Sequence, residues 1–265
     1  MSANPLLDRL RSGEPCFVFS VRMARTVNIV SLAEAVGYHG FYVDLQHSSI
    51  SPDMAAQICQ TALHSNTTAF VRVPSLEPGL ISRLLDAGAQ GILAPDIRSA
   101  EQARTLVHTA MIAPLGDRSV GGGIPNPRMM GLTGGALASA INESTMLIAM
   151  IETEEGVAAA REIIEVDGIA AIQIGSNDLT TSMGIPGQFT HDRVQAAFRT
   201  VIDACRAAGK PLIIGGIRQR DQLELYVRMG AARCYFTGAD SVFMLEGAKK
   251  FFAEAQGADA AISAA

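Results

Sequence analysis

Short, almost wholly apolar runs alternate with stretches of helical character from one end of this chain to the other. The candidate strands are Cys16–Val21, Gly40–Leu45, Thr68–Val73, Gly91–Ala94, Met146–Ile151, Ala170–Ile174, Pro211–Ile214 and Arg233–Thr237. A strand with one wet face alternates apolar and polar residues. These runs do not, so both faces are buried, as in a parallel sheet covered by helices. Candidate helices lie between them at Ser31–Val36, Ser51–His64, Glu77–Ala87, Ala100–Ala110, Glu154–Glu165, Asp192–Ala208 and Arg218–Met229, with a last one from Asp240. Gly88, Gly168, Gly209 and Gly230 stand between a helical stretch and the next strand, where a C-terminal cap is needed. Eight such units in 265 residues predict an α/β fold of the TIM (β/α)8 barrel type, one domain spanning residues 1–265. A doubly wound sheet is the alternative, but it would more often use fewer strands and a Gly-rich dinucleotide turn.

Composition narrows the class. The chain is 48% hydrophobic, ample for a large core and contrary to disorder. Its net charge is -5 with acids and bases interspersed, so no basic stripe points to nucleic acid and no polybasic segment to a membrane surface. The apolar runs are too short to span a bilayer, and the N-terminus lacks the pattern of a signal peptide. Cys16, Cys59, Cys205 and Cys234 are scattered without CxxC spacing and read as reduced, buried thiols. A soluble cytoplasmic protein is expected. The Gly- and Pro-rich stretch Pro114–Gly135 is too long for an ordinary connection, and long structured loops are usually functional.

Barrel active sites occupy the C-terminal ends of the strands. Polar residues gather there in this chain: Asp44 and His47 after the second run, Arg72 at the third, Glu152 past the fifth, and Gly175, Ser176, Asn177 and Asp178 past the sixth. The long stretch adds Asp117, Arg118, Ser119, Val120 and Gly121-Gly122-Gly123. Glu152 and Asp178 offer hard oxygen ligands with no cysteine or paired histidine nearby, which favours Mg²⁺ or Mn²⁺ over a closed zinc site. The alternative is that each carboxylate caps a following helix or turn. His47, three residues after Asp44, can pair with it as a general acid/base or be satisfied by backbone; the other histidines read as structural. Arg72, buried at a strand end, needs an anion. Gly175-Ser176-Asn177 has the character of a backbone nest for a carboxylate, and Gly215-Gly216 either admits a ligand close to backbone or forms a plain tight turn.

In order, Gly-Phe-Tyr-Val-Asp44-Leu-Gln-His47, Val-Arg72-Val-Pro, Gly-Ala-Gln-Gly-Ile-Leu-Ala-Pro95, Gly-Asp-Arg118-Ser-Val-Gly, Met-Ile-Glu152-Thr and Ile-Gly-Ser-Asn-Asp178-Leu resemble the HpcH/HpaI aldolase family, from about Pro5 to about Phe252. These are class II, metal-dependent pyruvate aldolases. The resemblance implies a TIM barrel assembled as a homo-oligomer, a trimer or hexamer, with the last helix exchanged between neighbours. It implies Glu152 and Asp178 as metal ligands, Asp44 and His47 as an acid/base dyad, Arg72 stabilising an enolate, and Ser176 and Asn177 beside the substrate carboxylate. The chain departs from the common pattern at Gln46, where many relatives have Glu, at Ser48-Ser49 for Gly-Pro, at Met150 for Gln, and at Ser176-Asn177 for Pro-Ala.

The expected activity is that of a divalent-metal-dependent (Mg²⁺, Mn²⁺ or Co²⁺) class II aldolase, interconverting a 4-hydroxy-2-oxo acid with pyruvate, or a related 2-oxo acid, and an aldehyde. No lysine ends a candidate strand, so a Schiff-base aldolase is not expected. The alternatives are an oxaloacetate decarboxylase, a citrate lyase β-like enzyme acting on an acyl-CoA, and a non-catalytic keto-acid-binding barrel.

Overall fold

A computed structural model describes residues 3–120 and 126–263; the Gly121-Gly122-Gly123 segment lies outside the described residues. Eight strands form a closed parallel barrel in chain order: β1 (Cys16–Val21), β2 (Gly40–Asp44), β3 (Thr68–Arg72), β4 (Gly91–Ala94), β5 (Met146–Ile151), β6 (Ile169–Gly175), β7 (Leu212–Gly215) and β8 (Cys234–Ala239), with β8 returning to pair with β1. The TIM-type barrel expected from the sequence is the observed fold, and the strand limits shift by a residue or two. Around it run α2 (Asn28–Val36), α3 (Pro52–Ala62), α4 (Pro78–Asp86), α5 (Ala100–Ala110), α7 (Glu154–Ala158), α8 (Ala160–Ile164), α10 (Asp192–Ala207) and α11 (Arg220–Met229), with α12 (Asp240–Ser263) closing the chain. None of the described helices is long and apolar enough to cross a membrane.

Side chains alternate across each strand, and this divides the core in two. Phe19, Phe41, Ile92 and Ile172 point outward and join the helices in one buried layer. Val18, Tyr42, Phe70, Leu93, Ile148, Ala171 and Ile213 point inward and fill the barrel. A short helix not expected from the sequence, α1 (Pro5–Ser12), closes the end where the strands begin, burying Leu6, Leu7 and Leu10 against that interior. It starts at Asn4, whose Oδ1 accepts the Leu7 N–H, while its Nδ2 donates to the carbonyls of Gln90 and Ser144.

Four further differences bear on function. The helix expected over Glu154–Glu165 is broken at Ala159 into α7 and α8. A second unexpected helix, α9 (Ser176–Ser182), begins directly at the end of β6, and a third, α6 (Gly134–Ser144), precedes β5. The described parts of the long stretch, residues 114–120 and 126–135, follow α5 rather than β4, so they belong to the end of the barrel opposite the strand C-termini. Arg118 is anchored there: its Nη1 meets Asp86 Oδ1 at 2.8 Å and its Nε donates to the Ala110 carbonyl at 2.8 Å. Within this chain Arg118 is therefore not part of the cluster at the strand C-termini, contrary to expectation.

Candidate active site at the strand C-termini

The inward parity of each strand carries its polar residues to the same rim. Val18, Ser20 and Arg22 follow one another at spacing two, as do Phe70 and Arg72, then Ile148, Met150 and Glu152, then Ala171, Gln173 and Gly175. Their lower members are core. Their upper members, with Tyr42 beneath, enclose a cavity of about 220 Å³ that also receives Ser176, Asn177, Asp178, Gly215 and Arg218.

Glu152 is 8% exposed and forms no ion pair among the described residues. Its Oε1 accepts the backbone N–H of Asp96 at 2.9 Å. Asp96 holds a left-handed φ of 52°, unusual without a glycine and the kind of local strain that collects at functional sites. Burial pushes the Glu152 carboxyl up to about 7, the charge of nearby Asp178 pushes the same way, and the Asp96 N–H and Arg72 oppose the shift. Neither carboxylate is a helix cap. Thr153 caps α7 through its Oγ1, and no side chain caps α9, where Asp178 lies in the first turn. Gly175 makes this packing possible, since a Cβ there would stand 2.6 Å from Glu152 Oε2.

Two acidic side chains brought together at a cavity, one of them buried, fit a divalent cation, which would cancel both the burial cost and the mutual repulsion. Their oxygens suit Mg²⁺ or Mn²⁺, and two protein ligands leave positions for a chelating substrate. Among the described residues no group of three or more His, Cys, Asp or Glu side chains gathers to form a closed site.

Asp44 is fully buried and saturated. Its Oδ1 accepts Arg72 Nε at 2.9 Å and the backbone N–H groups of Gln46 and His47 at 3.2 and 3.1 Å. Its Oδ2 accepts Arg72 Nη2 at 2.5 Å and Arg22 Nε at 2.8 Å. Burial would raise its pKa, but the Arg72 guanidinium and the other donors hold it below the ordinary carboxylate range. The expected Asp44–His47 side-chain pair is consequently not formed: the carboxylate has spent its lone pairs on two guanidiniums and two amides. His47 meets Asp44 only through its backbone. Its ring is exposed, has no hydrogen bond among the described residues, and does not line the cavity. Arg72, 7% exposed, finds in Asp44 the anion it required.

Arg22 and Gln173 were missed, though both were visible. Arg22 directly follows the first apolar run, and Gln173 is the lone amide inside the sixth. Gln173 Oε1 and Ser176 Oγ are buried at the cavity and have no hydrogen-bond partner among the described residues. Such atoms are costly unless a ligand completes them. Gly215 lies against Gln173, where a Cβ would approach its Cγ and Cδ to 3.1 Å. Gly216 has φ 83°, and a Cβ there would stand 2.9 Å from Asn177 Nδ2, so both glycines are required by close approach. Across the rim, Asp240 accepts the backbone N–H groups of Arg22, Met23, Ala24 and Ser241 and fastens the end of β8 to the loop after β1.

A closed parallel barrel whose strand C-termini present an acid pair, a buried arginine and unsatisfied acceptors is the frame of an enzyme that handles small polar carbon acids. Residues 23–245 match the model of the HpcH/HpaI aldolase/citrate lyase family, and the chain belongs to that family. It is 34% identical over 224 residues to 4-hydroxy-4-methyl-2-oxoglutarate aldolase of Chaetomium globosum, covering 84% of this chain and 83% of that protein. It is 35% identical over 222 residues to hydroxypyruvate/pyruvate aldolase of Delftia acidovorans, covering 83% and 81%. Among solved structures, the HpcH/HpaI aldolase of Desulfitobacterium hafniense superposes with a TM-score of 0.86 at 25% identity, covering 94% of this chain and 95% of that one.

Proposed function

We propose that this protein is a divalent-metal-dependent class II aldolase that reversibly cleaves 4-hydroxy-2-oxo acids to pyruvate, or a related 2-oxo acid, and an aldehyde. The observation that carries the reading is the buried Glu152 beside Asp178 in a cavity that Arg72 also lines. The aldolase relatives point to the same carbon–carbon lyase chemistry.

Glu152 and Asp178 would hold the cation, Mg²⁺, Mn²⁺ or Co²⁺, which supplies Lewis acidity to the substrate's 2-oxo group. Ser176 Oγ, buried with no partner among the described residues, and Asn177, next to it on the cavity wall, would receive the substrate carboxylate. In cleavage a base takes the C4 hydroxyl proton, the C3–C4 bond breaks, the aldehyde leaves, and the bonding pair passes into the enolate. Arg72, fixed in orientation by Asp44, offsets the negative charge that develops on the enolate oxygen. A proton then returns to C3. His47, whose backbone Asp44 pins while its ring stays exposed, would be the acid/base residue of this turn.

Beyond Asp240, α12 buries none of its residues and exposes Met244, Leu245, Phe251, Phe252 and Ile262. An apolar helix left in water supports a homo-oligomer, trimer or hexamer, in which a neighbouring subunit covers it. The four free, buried cysteines accord with a cytoplasmic setting.

The deciding experiment measures pyruvate release from 4-hydroxy-2-oxo acids, coupled to lactate dehydrogenase, on EDTA-stripped protein with Mg²⁺, Mn²⁺ or Co²⁺ restored. Activity that returns with metal in the parent and not in Glu152→Ala is the expected result. No release with any metal, beside intact oxaloacetate decarboxylation, would replace the aldolase by a decarboxylase.

A further inference from the structure

The loop after β4 is held more tightly than its exposure calls for. It runs Pro95-Asp96-Ile97-Arg98 along the rim beside the end of β5. The N–H of buried Ile97 donates to the Met150 carbonyl at 2.9 Å. The N–H of Asp96, one residue earlier, donates to Glu152 Oε1 at 2.9 Å. Two successive amides thus grip the last residue but one of β5 and the carboxylate just past it. Gly156 in α7 closes the contact, since a Cβ there would stand 2.8 Å from the Ile97 carbonyl oxygen. Asp96 is the only non-glycine residue with a positive φ among the described residues, a region that Asp and Asn tolerate better than most side chains do. Its own side chain locks it there. One carboxylate oxygen takes Arg98 Nε at 2.8 Å and the other takes Nη2 at 2.9 Å, while Arg98 Nη1 reaches Glu155 at 3.6 Å and the Arg98 N–H donates to Gln102.

Stability does not account for this arrangement. The Asp96 side chain is 48% exposed, so its ion pair contributes little, and a left-handed backbone is itself unfavourable. Nor is Asp96 a third ligand: both its oxygens face Arg98, and among the described residues no group of three acids gathers. What the arrangement delivers is one backbone N–H fixed on Glu152. We propose that Asp96 is the positioning residue of the acid pair: its left-handed turn holds that N–H on Glu152 Oε1 and leaves Oε2, which lies against Gly175, as the oxygen offered to the divalent cation. The inference rests on the metal-dependent reading above and deepens it. A glutamate has several torsions and two equivalent oxygens, so an untethered one loses much freedom when it ligates. A hydrogen bond already made to one oxygen selects the orientation beforehand, and such outer partners tune metal sites strongly.

The test titrates Mn²⁺ by calorimetry into EDTA-stripped parent, Asp96→Asn, Asp96→Val and Arg98→Ala, and follows Mn²⁺ activation of pyruvate release beside it. Asp96→Val, whose branched side chain strongly disfavours a left-handed turn, should raise the Mn²⁺ dissociation constant about tenfold, the range for losing a partner of a metal ligand. The loss should lie in the Mn²⁺ activation constant rather than in kcat at saturating Mn²⁺, a split that a merely structural loop would not produce. Asp96→Asn keeps both turn and N–H and should recover most of the affinity. Arg98→Ala, which frees the turn without touching Asp96, should weaken Mn²⁺ about twofold to fivefold, what an exposed ion pair can supply; it decides the matter if Asp96→Val does not fold. Asp96→Asn as weak as Asp96→Val would make the carboxylate itself the working group and overturn the proposal. So would an Mn²⁺ affinity that neither Asp96→Val nor Arg98→Ala changes. Affinities in the expected order without cleavage of any 4-hydroxy-2-oxo acid would remove the aldolase reading and leave the Asp96 assignment standing. Cleavage whose Mn²⁺ dependence ignores Asp96 would do the reverse.

Discussion

The two ends of the barrel treat polar atoms in opposite ways. Where the strands begin, Asn4 satisfies Leu7, Thr68, Gln90 and Ser144, and the leucines of α1 fill the opening. Where the strands end, among the described residues Glu152 is buried without an ion pair, and Gln173 Oε1 and Ser176 Oγ find no partner. One end is completed by the chain itself; the other stays incomplete until something binds. Local rules that hold throughout a fold and fail at one rim mark that rim as the place of function.

The largest effect should come at the incomplete end. Glu152→Ala is expected to lower kcat/KM for metal-dependent pyruvate release by about a thousandfold or more, in the range seen when one group central to transition-state charge is lost. Its melting temperature in EDTA should hold or rise, because a buried carboxylate has gone; a large fall would show that Glu152 is structural. Asp44→Ala should cost about 3–5 kcal/mol in urea unfolding, since it strands Arg72 as an uncompensated buried charge. Leu6→Ala, at the completed end, should cost about 2–5 kcal/mol while leaving kcat/KM within about twofold. Comparable losses of kcat/KM at both ends would erase the contrast.

Smaller effects sharpen it. The folded-state pKa of Glu152 is raised from the ordinary 4.5 to about 7. Its contribution to stability in metal-free protein is therefore fully present below about 4.5 and lost as pH rises through about 7. Thermal melts in EDTA across that window should show a decline of about 3 kcal/mol at most that Glu152→Gln removes. A proton and a metal compete for the same carboxylate, so Mn²⁺ affinity should fall about tenfold per pH unit below that value. Smallest of all, Ser176→Ala should raise stability by about 1 kcal/mol, because it deletes an unsatisfied hydroxyl. The same change should weaken 2-oxo acid binding roughly fivefold, read by calorimetry.

Much of the fold and part of the site are legible in the amino-acid sequence. Continuous apolar runs announce buried parallel strands, and the first polar residue after each run marks the rim, which is how Asp44, Arg72, Glu152 and Asp178 stand out. Pairing across strands is not legible. Asp44 meets Arg22 and Arg72, 22 and 28 residues away, and only the barrel's register brings them together. A carboxylate three residues from a histidine looks like a dyad because sequence shows near neighbours alone. Placement of residues 114–120 and 126–135 fails for a related reason: α5 intervenes and carries them to the other end. The α9 helix escapes because Ser176-Asn177-Asp178-Leu179-Thr180-Thr181-Ser182 has too few apolar residues to show a period.

A ring made from a linear chain has one seam, and Asp240 is its clasp. The flank from β8 to β1 carries four paired positions and a register shift, with the Asp240 carboxylate knotting it to three successive amides. The opposite flank of the same last strand joins β7 through the single pair Ile214 and Tyr235. The weak stave joint of the barrel is thus on the β7 side, next to Gly215 and Arg218, rather than where the first and last strands meet. Pulled or warmed, the barrel should part first there, and amide hydrogen exchange should be quicker in β8 on its β7-facing groups than on the groups that face β1.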